Sequence, residues 1–310
     1  MLAFVSIMIG VSDVPLSAFL PWTDAAELAR ETLWVSRIPR TLALILAGTA
    51  MGVCGLLMQL LVRNRFVEPS TVGTTEAAAL GLLVVTMLAP SLPLIGKMGV
   101  AAGAALGGTY LFLAVVRTLP THNTVLVPLV GMMLGGVVAA VTVYIAFSNN
   151  LLMSLNAWMT GDFSGVLQGR YELLWIVGAL TIMAYVAADR FTVAGLGESF
   201  STNAGLNHRG VLAFGFGLLS IASATVVVTV GVIPFLGLVV PNIVSLMLGD
   251  NARRSIPWVA VLGAGLVLVC DIVGRLIRYP YEIPIGLVMG VVGAAIFLYL
   301  LLRRTPRAAH

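Results

Sequence analysis

Long apolar runs separated by short polar gaps leave this chain few ways to fold. Thr124 to Phe147, Gly210 to Val230 and Pro284 to Leu302 carry no charged residue. A helix needs about 20 consecutive apolar residues to cross a bilayer. The chain is 59 % hydrophobic and 10 % charged, whereas a soluble domain carries about 25 % charged residues. Its mean hydropathy is +1.04. Inside lipid every backbone polar group must be satisfied internally, and runs of this length select helices. No polar stretch is long enough for a folded soluble domain. Residues 1–310 therefore read as one all-α transmembrane domain. The 33 glycines suit close helix packing and broken helices that line a cavity.

The net charge of +4 comes from 16 arginines and one lysine against 13 acids. This is a membrane-surface signal, with nothing pointing to nucleic acid. Cys54 and Cys270 fall inside apolar runs and read as small core residues, with a disulfide left open. The opening MLAFVSIMIGVSDV has neither a basic n-region nor an A-x-A site, so it does not read as a signal peptide. Its apolar run is about half of what a full span needs.

Ten apolar segments emerge. They are Met1–Val11, Ile38–Val62, Glu76–Ala89, Met98–Val116, Thr124–Phe147, Tyr171–Ala188, Gly210–Val230, the Pro-interrupted Gly231–Leu248, Pro257–Val273 and Pro284–Leu302. Ser12–Ser36 is amphipathic, with Trp22 and Trp34 suited to an interface. Ser148–Arg170 reads as irregular. Ten crossings put both termini on one side. Placing them in the cytoplasm puts ten arginines inside against seven basic residues outside, as the positive-inside rule favours. Arg37, Arg40, Arg275 and Arg278 then face outward against that rule, which invites a functional reason.

Four stretches carry a resemblance. They are RIPRTLA with the later GLLMQLLVRNRFVEPSTVG, then GLGESFSTNAGLN, then GVIPFLGLVVPNIVSLMLGD, and last DIVGRLIRYPYEIPIGLVMGVVGAAIFLYLLLR. In this order, over Ser36 to Arg304, the chain resembles the FecCD-type permeases of iron-siderophore, haem and cobalamin ABC importers. The resemblance implies a ten-helix type II importer permease in a bacterial cytoplasmic (inner) membrane. It also implies a second permease chain, two ATPase subunits inside and a substrate-binding protein outside. The family usually shows histidine after the second proline of PFLGLVVP, where this chain has Asn242. That variant is similar to the iron-siderophore branch, so the implied cargo is a ferric siderophore with a lean towards catecholates. Haem and cobalamin stay open.

Arg37 and Arg40 share a helix face at a spacing of three, and Arg275 and Arg278 repeat it. A helix start disfavours cations, so a charged partner is sought. By resemblance, arginines matching Arg37, Arg40 and Arg275 receive carboxylates of the binding protein, for which the guanidinium fork is suited. Arg278 is an added member. Snorkelling to headgroups is the alternative. Asp271 and Glu282 are placed to hold Arg275 and Arg278. The family's N-P-L-x-x-P segment is NRFVEP here, with Arg65 and Phe66 departing from it. By resemblance Asn64 and Phe66 line an inner gate, with Thr124 a further partner and Asn242 on the pathway. Glu76 is an acid just inside a span, hence functional by default, or solvated near the inner surface. Gly195, Gly197, Glu198, Ser199 and Gly205 belong to a glycine-flanked polar helix within the 189–209 loop. By resemblance that helix couples the permease to its ATPase, and a loop of this length in so compact a chain usually carries function.

His122, His208 and His310 are scattered, and neither a metal-ligand nor a Walker pattern is present, so no bound cofactor is expected and ATP hydrolysis is assigned to a separate chain. A secondary transporter driven through Glu76 or Asp271 remains the competing class. It lacks paired midplane acids and leaves the GLGES loop unexplained. An intramembrane enzyme lacks a nucleophile–base or metal set.

Overall fold

The computed structural model describes residues 1–10, 30–116, 118 and 126–303. Most of the amphipathic Ser12–Ser36 stretch and Thr124 lie outside the described residues. The described chain is all-α. After α1 (Leu2–Met8) a helix runs from Arg30 to Val62. It passes through a π-helical turn, Leu33–Arg37, into α2 (Ile38–Val62). There follow α3 (Thr74–Leu88), α4 (Leu94–Val116), α5 (Leu126–Ser148) and α6 (Leu152–Met159). Next come α7 (Leu174–Val186), α8 (Ala188–Gly195), α9 (Glu198–Asn203) and α10 (His208–Val230). The last three are α11 (Leu236–Leu248), α12 (Ala252–Ile277) and α13 (Ile285–Arg303).

Six described helices are long and apolar enough to cross a membrane, or seven if α7 and α8, bent by 64°, count as one broken span. Two shorter apolar helices, α3 and α11, accompany them. The sequence reading of ten crossings is thus met by six or seven helices of sufficient length. The rest of the ten are short because the chain breaks there: α3 and α11 each begin at a left-handed residue, Gly73 and Phe235.

Burial ranks the helices. The span containing α2 is 78 % buried, whereas α5 and α13 are 17 % buried. The central helix is therefore α2, and α5 and α13 present apolar faces outward. Small residues let α2 serve as the hub. A Cβ on Gly48 would lie 2.8 Å from the Gly263 carbonyl of α12. One on Gly55 would lie 1.9 Å from the Gly237 carbonyl of α11. Cys54 and Cys270 are buried and free.

Two expectations need correction. Ser148–Arg170 contains a helix, α6. The helix expected over Pro257–Val273 runs from Ala252 to Ile277 and takes in Arg275 beyond Asp271. The added charge is tolerated because Arg275 pairs with Asp271 one turn earlier on the same helix, and Asp271 also pairs with Arg40 of α2.

Candidate functional site

At one end of α2 three arginines converge on two acids and on the C-terminal end of α1. Arg40 bonds Asp271 through Nη2 at 2.7 Å and Glu282 through Nη1 at 2.7 Å. Arg275 pairs with the second oxygen of Asp271. It also donates to the Ser6 and Ile9 carbonyls at 3.0 and 2.6 Å and to Ser6 Oγ at 2.7 Å. Arg37 donates to the Ile7 and Met8 carbonyls at 2.9 and 3.1 Å. The last carbonyls of a helix have no partner within it and carry the negative end of its dipole. They give Arg37 and Arg275 acceptors in addition to the carboxylates of the cluster.

This geometry corrects the sequence argument about Arg37 and Arg40. They do not stand at a helix start, because the helix already begins at Arg30. Arg37 and Arg275 are only 7 % and 6 % exposed. Asp271 holds Arg275 as expected, but it also bridges to Arg40, and Glu282 reaches Arg40 rather than Arg278. Arg278 is exposed and lies over the Tyr281 ring at 5.7 Å.

The 25 residues of α2 span about 37 Å at 1.5 Å per residue, so its other end is a separate site. There the chain leaves α2 at Arg63, in left-handed backbone with φ 58°. Asn64 is buried, and its Oδ1 accepts from the Phe66 amide at 2.8 Å. Phe66 is half-buried and meets Phe297 of α13 edge-on, with centroids 6.2 Å apart. Asn242 of α11 donates to the Arg65 carbonyl at 2.8 Å. Its Oδ1 is buried with no bonded partner. Three of the sequence-selected gate residues, Asn64, Phe66 and Asn242, are thus brought together. Glu76 is not among them. It lies in the first turn of α3, bonded to Thr75 Oγ1 at 2.9 Å and facing Gly135 of α5. Among the described elements α3 touches neither α11 nor α13.

The glycine-flanked helix of the 189–209 loop is present as α9. Gly197 at φ 112° and Gly205 at φ 77° bracket it. Gly197 adopts a conformation that suits only glycine, and a Cβ there would also lie 3.1 Å from the Arg63 guanidinium. Glu198 and Ser199 are exposed, beside Leu196 and Phe200, each more than half exposed. Ser201 Oγ pins the turn from within, at 2.7 Å from the Gly197 carbonyl and 2.8 Å from His208 Nδ1. Gly195 ends α8 against Leu60 of α2. A cavity of about 300 Å³ is lined by Arg63, Asn64 and Arg65 on one side and by Thr192, Gly195 and Leu196 on the other. The end of α8 and the segment that follows α2 therefore line one cavity. Among the described residues no group of three or more His, Cys, Asp or Glu is placed to hold a metal ion.

Sequence reasoning passed over Glu68. It is 2 % exposed, and its Oε1 accepts from Ser70 Oγ at 2.6 Å and from the Phe235 amide at 3.0 Å. An acid set among Phe66, Val67 and Pro69 was the available signal. Gln59 supplies a related repair. Pro241 has no N–H for the carbonyl four residues back, and Gln59 Nε2 donates to that carbonyl, Gly237 O, at 3.2 Å.

Comparison with known proteins adds a family. The petrobactin import system permease protein YclN of Bacillus subtilis is 46 % identical over 308 residues, covering 99 % of this chain and 96 % of that protein. The ferric-anguibactin transport system permease protein FatD of Vibrio anguillarum is 39 % identical over 298 residues, covering 96 % and 94 %. A solved structure described as an inward-facing, metal-chelate type ABC transporter superposes with a TM-score of 0.80. It covers 97 % of this chain and 96 % of that one at 22 % identity, a likeness of fold. The model of the FecCD transport family matches residues 1–303, and the chain therefore belongs to that family.

Proposed function

We propose that this chain is the multi-pass permease subunit of a type II ABC importer in a bacterial cytoplasmic membrane, and that it moves a ferric siderophore inward from a substrate-binding protein. The family match over residues 1–303 carries this reading, and relatives named for petrobactin and ferric-anguibactin support the cargo class. A catecholate is the preferred chelate within it. Ten crossings would comprise the six long helices, the bent α7–α8 pair, the shorter α3 and α11, and the segment that includes α1. The whole chain acts as one transmembrane domain. ATP is hydrolysed on partner ATPases, and a second permease, identical or paralogous, completes the pathway.

The roles proposed for this chain's residues come from the family resemblance. Arg37, Arg40, Arg275 and Arg278 form the docking end, where Arg278 is already exposed and the other three are held ready by Asp271, Glu282 and α1. Asn64, Phe66 and Asn242 form the inner gate with Thr124. Glu76 faces the pathway. Gly195, Gly197, Glu198, Ser199 and Gly205 form the coupling helix and its hinges.

Gentle purification from the native membrane tests the reading. An ATPase is expected to accompany the chain, together with a second permease in equal amount or a second copy. A stable protein that purifies alone would favour a secondary transporter. In the assembled importer, Glu198→Arg is expected to leave expression and ATPase content unchanged. It should lower uptake per ATP by about tenfold, equivalent to 1.4 kcal/mol of lost coupling. Normal iron uptake in that variant would remove α9 from the coupling surface.

A further inference from the structure

A helix normally begins at Ser, Thr, Asp or Asn, whose side chain accepts from the first free amides. Where α11 begins stands Phe235, with no capping side chain and with left-handed backbone at φ 61°. The missing acceptor is Glu68, 167 residues earlier in the chain. Its Oε1 accepts from the Phe235 amide at 3.0 Å, and a Cβ on Gly237 would crowd its Oε2 at 3.1 Å. The same short stretch is held to α11 at two further points. The Arg65 carbonyl accepts from Asn242, in the middle of α11, at 2.8 Å. The Arg65 guanidinium pairs with Asp250, just past its end. Residues 64–68 thus lie along the whole of α11, tied at its start, middle and end.

We propose that Glu68 is a positioning residue. By capping α11 from the break after α2, it fixes the Asn64–Phe66 segment along α11, so that segment and helix move as one body. Phe66 then meets Phe297 only where α11 carries it. The inference rests on the reading of Asn64 and Phe66 as the inner gate for its functional meaning, but the tether itself is testable without that reading. Alanine at 68 removes the acceptor, whereas glutamine keeps an oxygen able to take both Ser70 and Phe235.

The test uses the assembled importer and thiol chemistry. Val67 is fully buried beside Glu68, and Val67→Cys places a protected thiol in the tethered segment. Cys54 and Cys270 are buried elsewhere and report general loosening. With Glu68→Ala added, maleimide is expected to label position 67 about tenfold faster, as for a local opening made easier by 1.4 kcal/mol, while Cys54 and Cys270 stay protected. Ser70→Ala, which removes one donor to the carboxylate, gives a milder version if the first variant does not assemble. An unchanged labelling rate, or all three thiols opening together, would overturn the proposal. Phe66→Ala judges the gate reading separately. It is expected to lower uptake per ATP, and wild-type coupling there would cancel the gate while leaving the tether to the labelling result.

Discussion

Asp271→Ala is expected to destabilise the protein by about 3–5 kcal/mol, the range for breaking a buried ion pair from one side. Asp271 has no exposed side-chain surface and serves two cations, Arg40 and Arg275. Its removal leaves Arg275 with only the α1 carbonyls and Ser6 Oγ, and Arg40 with Glu282. Thermal unfolding in detergent, followed as loss of the monodisperse peak, is the measurement. The double variant Asp271→Leu/Arg275→Met is expected to recover much of the loss, because apolar residues of similar volume replace buried pairs well. That recovery would come without the Arg275 charge, so the pair of variants separates the cost of an unpaired buried charge from the need for the charge itself. Wild-type stability in Asp271→Ala would show that water, not Asp271, balances these arginines.

Gly55→Val comes next in size. Overpacking a core costs typically 1–3 kcal/mol and occasionally more, and here the upper end or beyond is expected. The added Cβ would stand 1.9 Å from the Gly237 carbonyl oxygen and 2.3 Å from its Cα. These are backbone atoms that cannot rotate away. Gly237 is held in turn by Gln59, which donates to its carbonyl at 3.2 Å. Loss of folded protein, or separation of α11 from α2 seen as new protease sensitivity, would record the effect. Gly217→Ala on α10 is the control, since nothing lies within 4 Å of its Cβ position. It is expected to change stability by less than about 1 kcal/mol, the helix-propensity difference between the two residues. Equal loss in both variants would mean that helix chemistry, not contact, limits these positions.

What could be read in the sequence follows the range of the interactions. The end of α2 is local and was legible, since it falls where Arg63, Asn64 and Arg65 follow in a row, whereas its start was not, because the helix already runs from Arg30. The short helix between Gly197 and Gly205 was legible for the same reason. The gathering of Asn64, Phe66 and Asn242 had to be taken from family resemblance, because Asn242 meets Arg65 across 177 residues of chain. Glu68 was missed on the same ground. Its distant partner is the Phe235 amide, and an amide leaves no mark in a sequence. The ten apolar segments were visible as composition, but their lengths as helices were not. Hydropathy counts apolar residues and is blind to the left-handed turns at Gly73 and Phe235 and to the corner between α7 and α8. The outer arginines were visible as charges in unusual places. That two of them are buried under α1 depends on seven residues at the far start of the chain.

The corner at Ala187 has a mechanical sequel. Because α8 leaves α7 at 64°, a force directed along α8 would act more across the axis of α7 than along it, with a sizeable share in each direction. A straight rod would only slide under such a force, whereas a cranked one is turned as well. The far end of α8, Gly195, rests against Leu60, near the end of α2. Any turning of α8 about the corner at Ala187 would therefore reach the last turn of the hub helix.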